Sequence, residues 1–143
     1  MKRLFLFLCC AAALSWSGCS KDDDNTVDLT QLVGTWELTK IYDGEEDDWD
    51  EEWGAEFGYI WTIEFRADGT AKTHSEEPDY SSDREYTYTV ASNMLTMTDL
   101  KDPDYPETFR IERLTVSELV LAIDYKDGNG KTCTDKEYYK RIN

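Results

Sequence analysis

From residue 33 onward the chain alternates apolar and polar side chains in short runs, and turn residues interrupt the runs. In the run 33–42, Trp36 and Leu38 share a face. In 59–65 that face carries Tyr59, Trp61, Ile63 and Phe65. The run 70–75 is short and polar. In 85–91, Tyr86, Tyr88 and Val90 alternate with Glu85, Thr87 and Thr89. Runs 95–97, 108–114, 118–126 and 131–142 follow, with Phe109 and Ile111, then Leu119, Leu121, Ile123 and Tyr125, on their apolar faces. Asp68-Gly69, Ser92-Asn93 and Asp127 to Gly130 read as tight turns, because such residues adopt the positive φ that hairpins need. Segments 76–83 and 99–106, broken by Pro78, Pro103 and Pro106, read as loops. A period of two means strands with one buried and one wet face. Eight of them in sequence, with no segment long enough for a core helix, predict an all-β antiparallel meander. Closing that meander into an up-and-down barrel removes its exposed edges; a two-sheet sandwich is the alternative.

One segment breaks the alternation. Residues 43–56 carry nine carboxylates, and Trp49, Trp53 and Phe57 recur every four residues. That spacing places the three rings on one helical face, while Gly54 weakens a helix. The expectation is a short helix or ordered loop between strands one and two, aromatic beneath and acidic above, closing one mouth of the barrel.

The whole chain has 15 basic and 31 acidic residues, a formal charge of −16. That balance excludes nucleic acid as a partner, since a phosphate backbone needs a basic footprint. Five Trp, nine Tyr and five Phe argue against a disordered acidic chain.

The N-terminus reads as a processing signal. Lys2 and Arg3 precede an apolar run over 4–14, too short to span a bilayer as a helix. Ser17-Gly18-Cys19 then resembles the lipobox of bacterial lipoproteins, with Trp16 where that family usually has Leu. The resemblance implies a signal peptide over 1–18, and cleavage before and acylation of Cys19, so the membrane is reached through an N-terminal lipid. Residues 19–31 read as the lipidated Cys and an acidic tether, and 32–143 as the barrel domain. Lys21-Asp22-Asp23-Asp24 resembles the signal that sends lipoproteins of Bacteroidota to the outer face of the outer membrane. It implies a lipid-anchored, cell-surface location, with a periplasm-facing anchor as the alternative. After cleavage 143 − 18 leaves 125 residues, and Cys133 is the only cysteine besides the acylated one, so no internal disulfide can form. Tether and acidic segment, 21–28 plus 43–56, hold thirteen acids and one Lys, hence −12; the rest of the mature chain carries −6.

Five stretches carry a second resemblance. Leu32-Val33-Gly34-Thr35-Trp36-Glu37-Leu38 resembles the Gly-x-Trp opening of lipocalin-like domains. Residues 63–70, 88–97 and 114–121 resemble their strand-turn-strand units, and Tyr139-Lys140-Arg141 the closing strand. The implied fold is a lipocalin-like, eight-stranded up-and-down barrel. The implied structural residues are Gly34, permitting close backbone approach, Trp36, plugging one end, and Arg141, covering Trp36, with Lys140 in competition. Full-size lipocalins have longer strands and a flanking C-terminal helix, which this chain lacks, so the expected barrel is short.

Little supports catalysis. His74 stands alone between Thr73 and Ser75, and Cys133 between Thr132 and Thr134, neither near the partners that nucleophilic or metal chemistry requires. The acidic segment could offer oxygens to Ca²⁺, but its spacing is not that of an EF-hand loop. The sequence therefore points to a non-enzymatic monomer with no metal or cofactor. Its expected role is binding a small apolar or aromatic ligand through Tyr59, Trp61, Phe65, Tyr86, Tyr88 and Tyr125, with Trp49 and Trp53 as a lid. The alternative is a protein-interaction or inhibitor module that docks a basic partner on the acidic, Trp-bearing loop; an envelope-accessory role without a ligand is a third.

Overall fold

The computed structural model describes residues 27–143. Cys19 and the stretches expected to be a signal peptide and most of a tether lie outside the described residues. Strands β1 (Gly34–Asp43), β3 (Ile60–Phe65), β4 (Thr70–Glu77), β5 (Tyr80–Ala91), β6 (Met94–Asp99), β7 (Glu107–Leu114), β8 (Glu118–Lys126) and β9 (Thr132–Arg141) form an antiparallel meander. Between β1 and β3 lie a two-residue strand, β2 (Asp48–Trp49), and a 3-10 turn at Ala55–Phe57. β9 pairs back on β1, Trp36 opposite Arg141 and Tyr42 opposite Lys136, so the eight long strands close. The barrel, not the sandwich, is the observed solution, and every barrel strand has a neighbour on both sides.

Alternation puts most of the expected residues inside, although Ile123 remains 38% exposed. Trp36, Leu38, Ile63, Phe65, Leu95, Met97, Phe109, Ile111, Leu119, Leu121 and Tyr139 form one buried cluster. Two bulges adjust the parity. Thr39 is the extra residue between Leu38 and Lys40, so Ile41 rather than Lys40 follows Leu38 inward. Glu112 does the same between Ile111 and Arg113.

The hairpins follow the turn chemistry. Gly69 adopts φ +83°, and the Asp68 carboxylate accepts from the Thr70 amide at 2.9 Å. The expected loop 76–83 is instead a tight hairpin. β4 continues to Glu77 and β5 begins at Tyr80, with Glu77 opposite Tyr80 across Pro78-Asp79. Pro78 occupies the turn, where its missing N–H leaves no ladder bond unmade.

One end of the barrel is sealed. A single helical turn, α1 (Leu29–Leu32), is capped by the Asp28 side chain, which accepts from the Thr30 amide at 3.0 Å. Leu32 is fully buried, and its carbonyl accepts from the Trp36 indole N–H at 2.8 Å. The Arg141 guanidinium lies 4.3 Å from the Trp36 ring centre, deciding between Arg141 and Lys140. Lys140 points to the outer wall, where it pairs with Glu37 at 3.2 Å. Arg141 also donates to the carbonyls of Val116 at 2.7 Å, Val33 at 2.8 Å, Asn143 at 3.4 Å and Gln31. Gly34 has φ +142°, and a Cβ there would lie 2.0 Å from the Arg141 guanidinium. Glycine is what lets the guanidinium close this end.

Candidate functional site

The opposite end is the mouth, rimmed by the acidic segment, the β4–β5 hairpin, loop 100–106 and the β8–β9 turn. The acidic segment does not form a helix. Asp43 accepts from the amides of Glu45 and Glu46, and Asp47 takes φ +58°, so the chain reverses and returns along β1 as β2. Carboxylates placed one after another repel in a helix, whereas here they cap turn amides. Gly44 packs against Thr134, where a Cβ would lie 2.3 Å from backbone, and its amide donates to Asp135 at 2.9 Å.

This reversal separates the two tryptophans expected on one face. Trp49 lies on the outer wall, opposite Tyr42 in the β1–β2 pair. Its ring centre is 5.3 Å from Tyr42 and 5.2 Å from Tyr138, with the Lys40 ammonium 4.5 Å away. It remains 42% exposed and does not line the mouth. Trp53 does cover the mouth. It stacks on Tyr59 at 5.5 Å and packs against the core cluster. Its indole N–H is buried without a partner among the described residues.

The other expected ligand residues divide by depth. Phe65 and Tyr88 meet edge to face at 5.1 Å near the sealed end, and the Tyr88 hydroxyl donates to the Arg66 carbonyl at 2.7 Å. They are packing residues, because β3 enters the sealed end at Phe65. Trp61 sits two steps up the strand above Ile63 and beside the Tyr139 hydroxyl. Tyr86 is buried across from Ala71 and Asp99. Tyr125 reaches Asp135 at 3.0 Å. Burial and this carboxylate push the Tyr125 phenol up to about 12.

The inward face also carries polar groups that the alternation argument passed over. Thr73, Ser75 and Asp99 are buried, Asp99 pairing with Arg84 at 3.3 Å. Arg84, Tyr86, Met97, Asp99 and Glu107 line a cleft of about 110 Å³. On β9, Glu137 accepts a 2.7 Å hydrogen bond from the buried Tyr139 hydroxyl. Burial pushes the Glu137 carboxyl up, against the lowering effect of that bond. Asp135-Lys136-Glu137 reads as a wet stretch, but counting back by twos from Tyr139 puts Glu137, Asp135 and Cys133 on the inner face. That parity was the available signal. Cys133 is buried. His74 is on the outer wall, between Asp83 at 2.7 Å and Glu76 at 3.1 Å.

A depression of about 310 Å³ beside the acidic segment is lined by Ile41, Trp49 and residues including Asp43, Glu46 and Asp50. Among the described residues no group of His, Cys, Asp and Glu is arranged to hold a metal, and no helix is long and apolar enough to cross a membrane.

The family model described as a lipocalin-like domain matches residues 32–121. The fold is similar to a lipocalin-like protein from Bacteroides uniformis, with TM-score 0.56 and 14% identity over 78% of this chain and 99% of that one. It is also similar to an uncharacterized protein from Bacteroides eggerthii, with TM-score 0.52 and 12% identity over 77% and 98%. No curated protein matches the chain significantly.

Proposed function

Because the chain belongs to the lipocalin-like domain family, we propose that it is a non-catalytic binding module whose ligand enters at the open mouth. The observation that carries this reading is the Trp53–Tyr59 stack over the barrel end, with a buried indole N–H that has no partner among the described residues. A buried donor without an acceptor costs about 1–3 kcal/mol, and a ligand acceptor at the mouth relieves it. The ligand is small and partly aromatic or apolar, gripped by Trp53, Tyr59, Trp61, Tyr86 and Tyr125. Tyrosine and tryptophan suit it, each offering an apolar body and a polar tip. The module is monomeric, carries no cofactor and is held by an acylated Cys19 on the outer face of the outer membrane.

Trp53 at the mouth makes intrinsic emission the direct assay. A ligand from a panel of lipids, sterols and small aromatics should shift emission and melting temperature, with Trp53→Phe reducing the shift. Silence across the panel rejects the reading. Protease shaving of intact cells tests the location: a protected protein rejects surface exposure.

A second reading has its own observation, the acidic depression of about 310 Å³ flanked by the exposed Trp49. In this reading it docks a basic protein, opposite charge speeding encounter and Trp49 serving as anchor. Binding to secreted basic proteins that weakens steeply with salt and with Trp49→Ala would favour it; salt-independent binding would not.

A further inference from the structure

Midway along β9, the inner wall holds a carboxylate, Glu137, without a counter-ion among the described residues. Glu137 stands opposite Leu121 on β8 and Ile41 on β1, both with inward side chains, so its carboxylate projects into the barrel. One oxygen accepts from Tyr139; the other accepts nothing from the described residues. Glu137 makes no ion pair among the described residues. The alternate residues of the same strand do: Lys136 pairs with Glu112 at 3.0 Å and Lys140 with Glu37 at 3.2 Å on the outer wall. Arg84, the cation on the inner side of β5, is engaged by Asp99. Asp135, two residues along from Glu137, is occupied by the Tyr125 hydroxyl and the Gly44 amide.

We propose that the mouth is selective for a small organic cation, an ammonium group on an aromatic or apolar body, with Glu137 as its counter-ion. This rests on the binding-module reading above and names the ligand's charge. A partly buried carboxylate without a counter-ion is unfavourable, and a ligand ammonium supplies what the described residues do not. The aromatic surroundings add to this, since Trp and Tyr faces attract cations. The independent second feature is the Trp53 indole N–H, buried and without an acceptor among the described residues. It asks for a hydroxyl or carbonyl on the same ligand. Neutral or anionic ligands leave Glu137 uncompensated or repelled.

The test compares 2-phenylethylamine with its neutral counterpart 2-phenylethanol on the purified full chain, by calorimetry and tryptophan emission. The amine should bind at least about tenfold more tightly, a preference worth about 1.4 kcal/mol. Glu137→Gln, which keeps an acceptor for Tyr139, should abolish the preference. Glu51→Gln, on the acidic loop, should preserve it and so separate a local counter-ion from the general negative field. Equal binding of amine and alcohol overturns the cation proposal and leaves the binding module standing. So does an amine preference that survives Glu137→Gln. No binding of either probe, nor of any compound in the wider panel, overturns both. Because the amine–alcohol comparison is made on the unmodified chain, equal binding overturns the proposal even if Glu137→Gln does not fold.

Discussion

Replacing Arg141 by Met removes the guanidinium that seals the barrel end while keeping most of the side chain's apolar stem. The lost contacts are specified. The guanidinium donates to carbonyls of three separate segments: Gln31 and Val33 beside α1, Val116 in the β7–β8 turn, and Asn143 at the end of the chain. Hydrogen bonds to a charged donor are worth about 1.5–3 kcal/mol each. The two part-buried ones, to Gln31 and Val33, taken at the low end give about 3 kcal/mol. The more exposed pair regain water and add little. Loss of the stack on Trp36 contributes about 0.5–1 kcal/mol more. The expected destabilisation is therefore about 3–4 kcal/mol, or roughly 10–20 °C in Tm for a domain of this size. Gly34→Ala attacks the same contact from the other side. Its Cβ would lie 2.0 Å from the guanidinium and 2.7 Å from the Asn143 carbonyl, in a backbone conformation that disfavours any side chain. Because both variants remove one arrangement, the double variant should fall short of additivity by about 2 kcal/mol. Urea unfolding followed by tryptophan emission measures all three, with an unchanged m-value as the check on two-state behaviour. A loss under 1 kcal/mol for Arg141→Met, or strict additivity with Gly34→Ala, refutes the clamp.

Other expectations follow from single contacts. Trp36 is fully buried, so Trp36→Ala should cost about 3–5 kcal/mol by chemical unfolding, whereas Trp36→Phe, which loses chiefly the bond to the Leu32 carbonyl, should cost nearer 1 kcal/mol. Hydrogen bonds that the His74 imidazole donates to Asp83 and then Glu76 hold it above its ordinary value, so its small stabilising effect is complete below about pH 6.5 and fades as pH rises through the folded-state value. An NMR titration should show Asp83→Asn bringing the His74 midpoint down; no change would mean that the pair is not formed. Lys72 also pairs with Asp83 at 2.9 Å, so part of Asp83's effect should persist at high pH. Millimolar Ca²⁺ should leave Tm unmoved, because the acidic segment's carboxylates are spread over turn caps and the outer wall; a rise of several degrees would show a site.

The strand pattern was legible because burial imposes a period of two, and Trp36, Ile63, Phe65, Leu119 and Leu121 obey it in every strand they occupy. The β4–β5 hairpin was not, because Ser81, Ser82 and Asp83 lie where a strand leaves the core and stays wet on both sides. The acidic segment misled for a different reason. The four-residue spacing of Trp49, Trp53 and Phe57 is real, but helical spacing has meaning only if the backbone stays helical, and Asp43 and Asp47 turn it instead. Trp49 therefore faces outward and Trp53 lies over the mouth. The inner polar groups were hidden because Glu137 and Asp135 sit beside Lys136 and Lys140 in a strand that looks solvated throughout. Closure of β9 onto β1 decides which of them point in, and a one-residue bulge at Thr39 lies within that contact.

The sealed end has a consequence for direction. The chain enters the domain there, through Val27 and α1, and only seven residues separate Val27 from Cys19. Fully stretched, that tether reaches about 25–30 Å. If Cys19 is acylated as proposed, α1 and the Trp36–Arg141 seal would lie toward the bilayer and the mouth would open at the far pole. The domain would then stand with its back to the lipid. A ligand would arrive from the surrounding water, not by lateral extraction from the membrane.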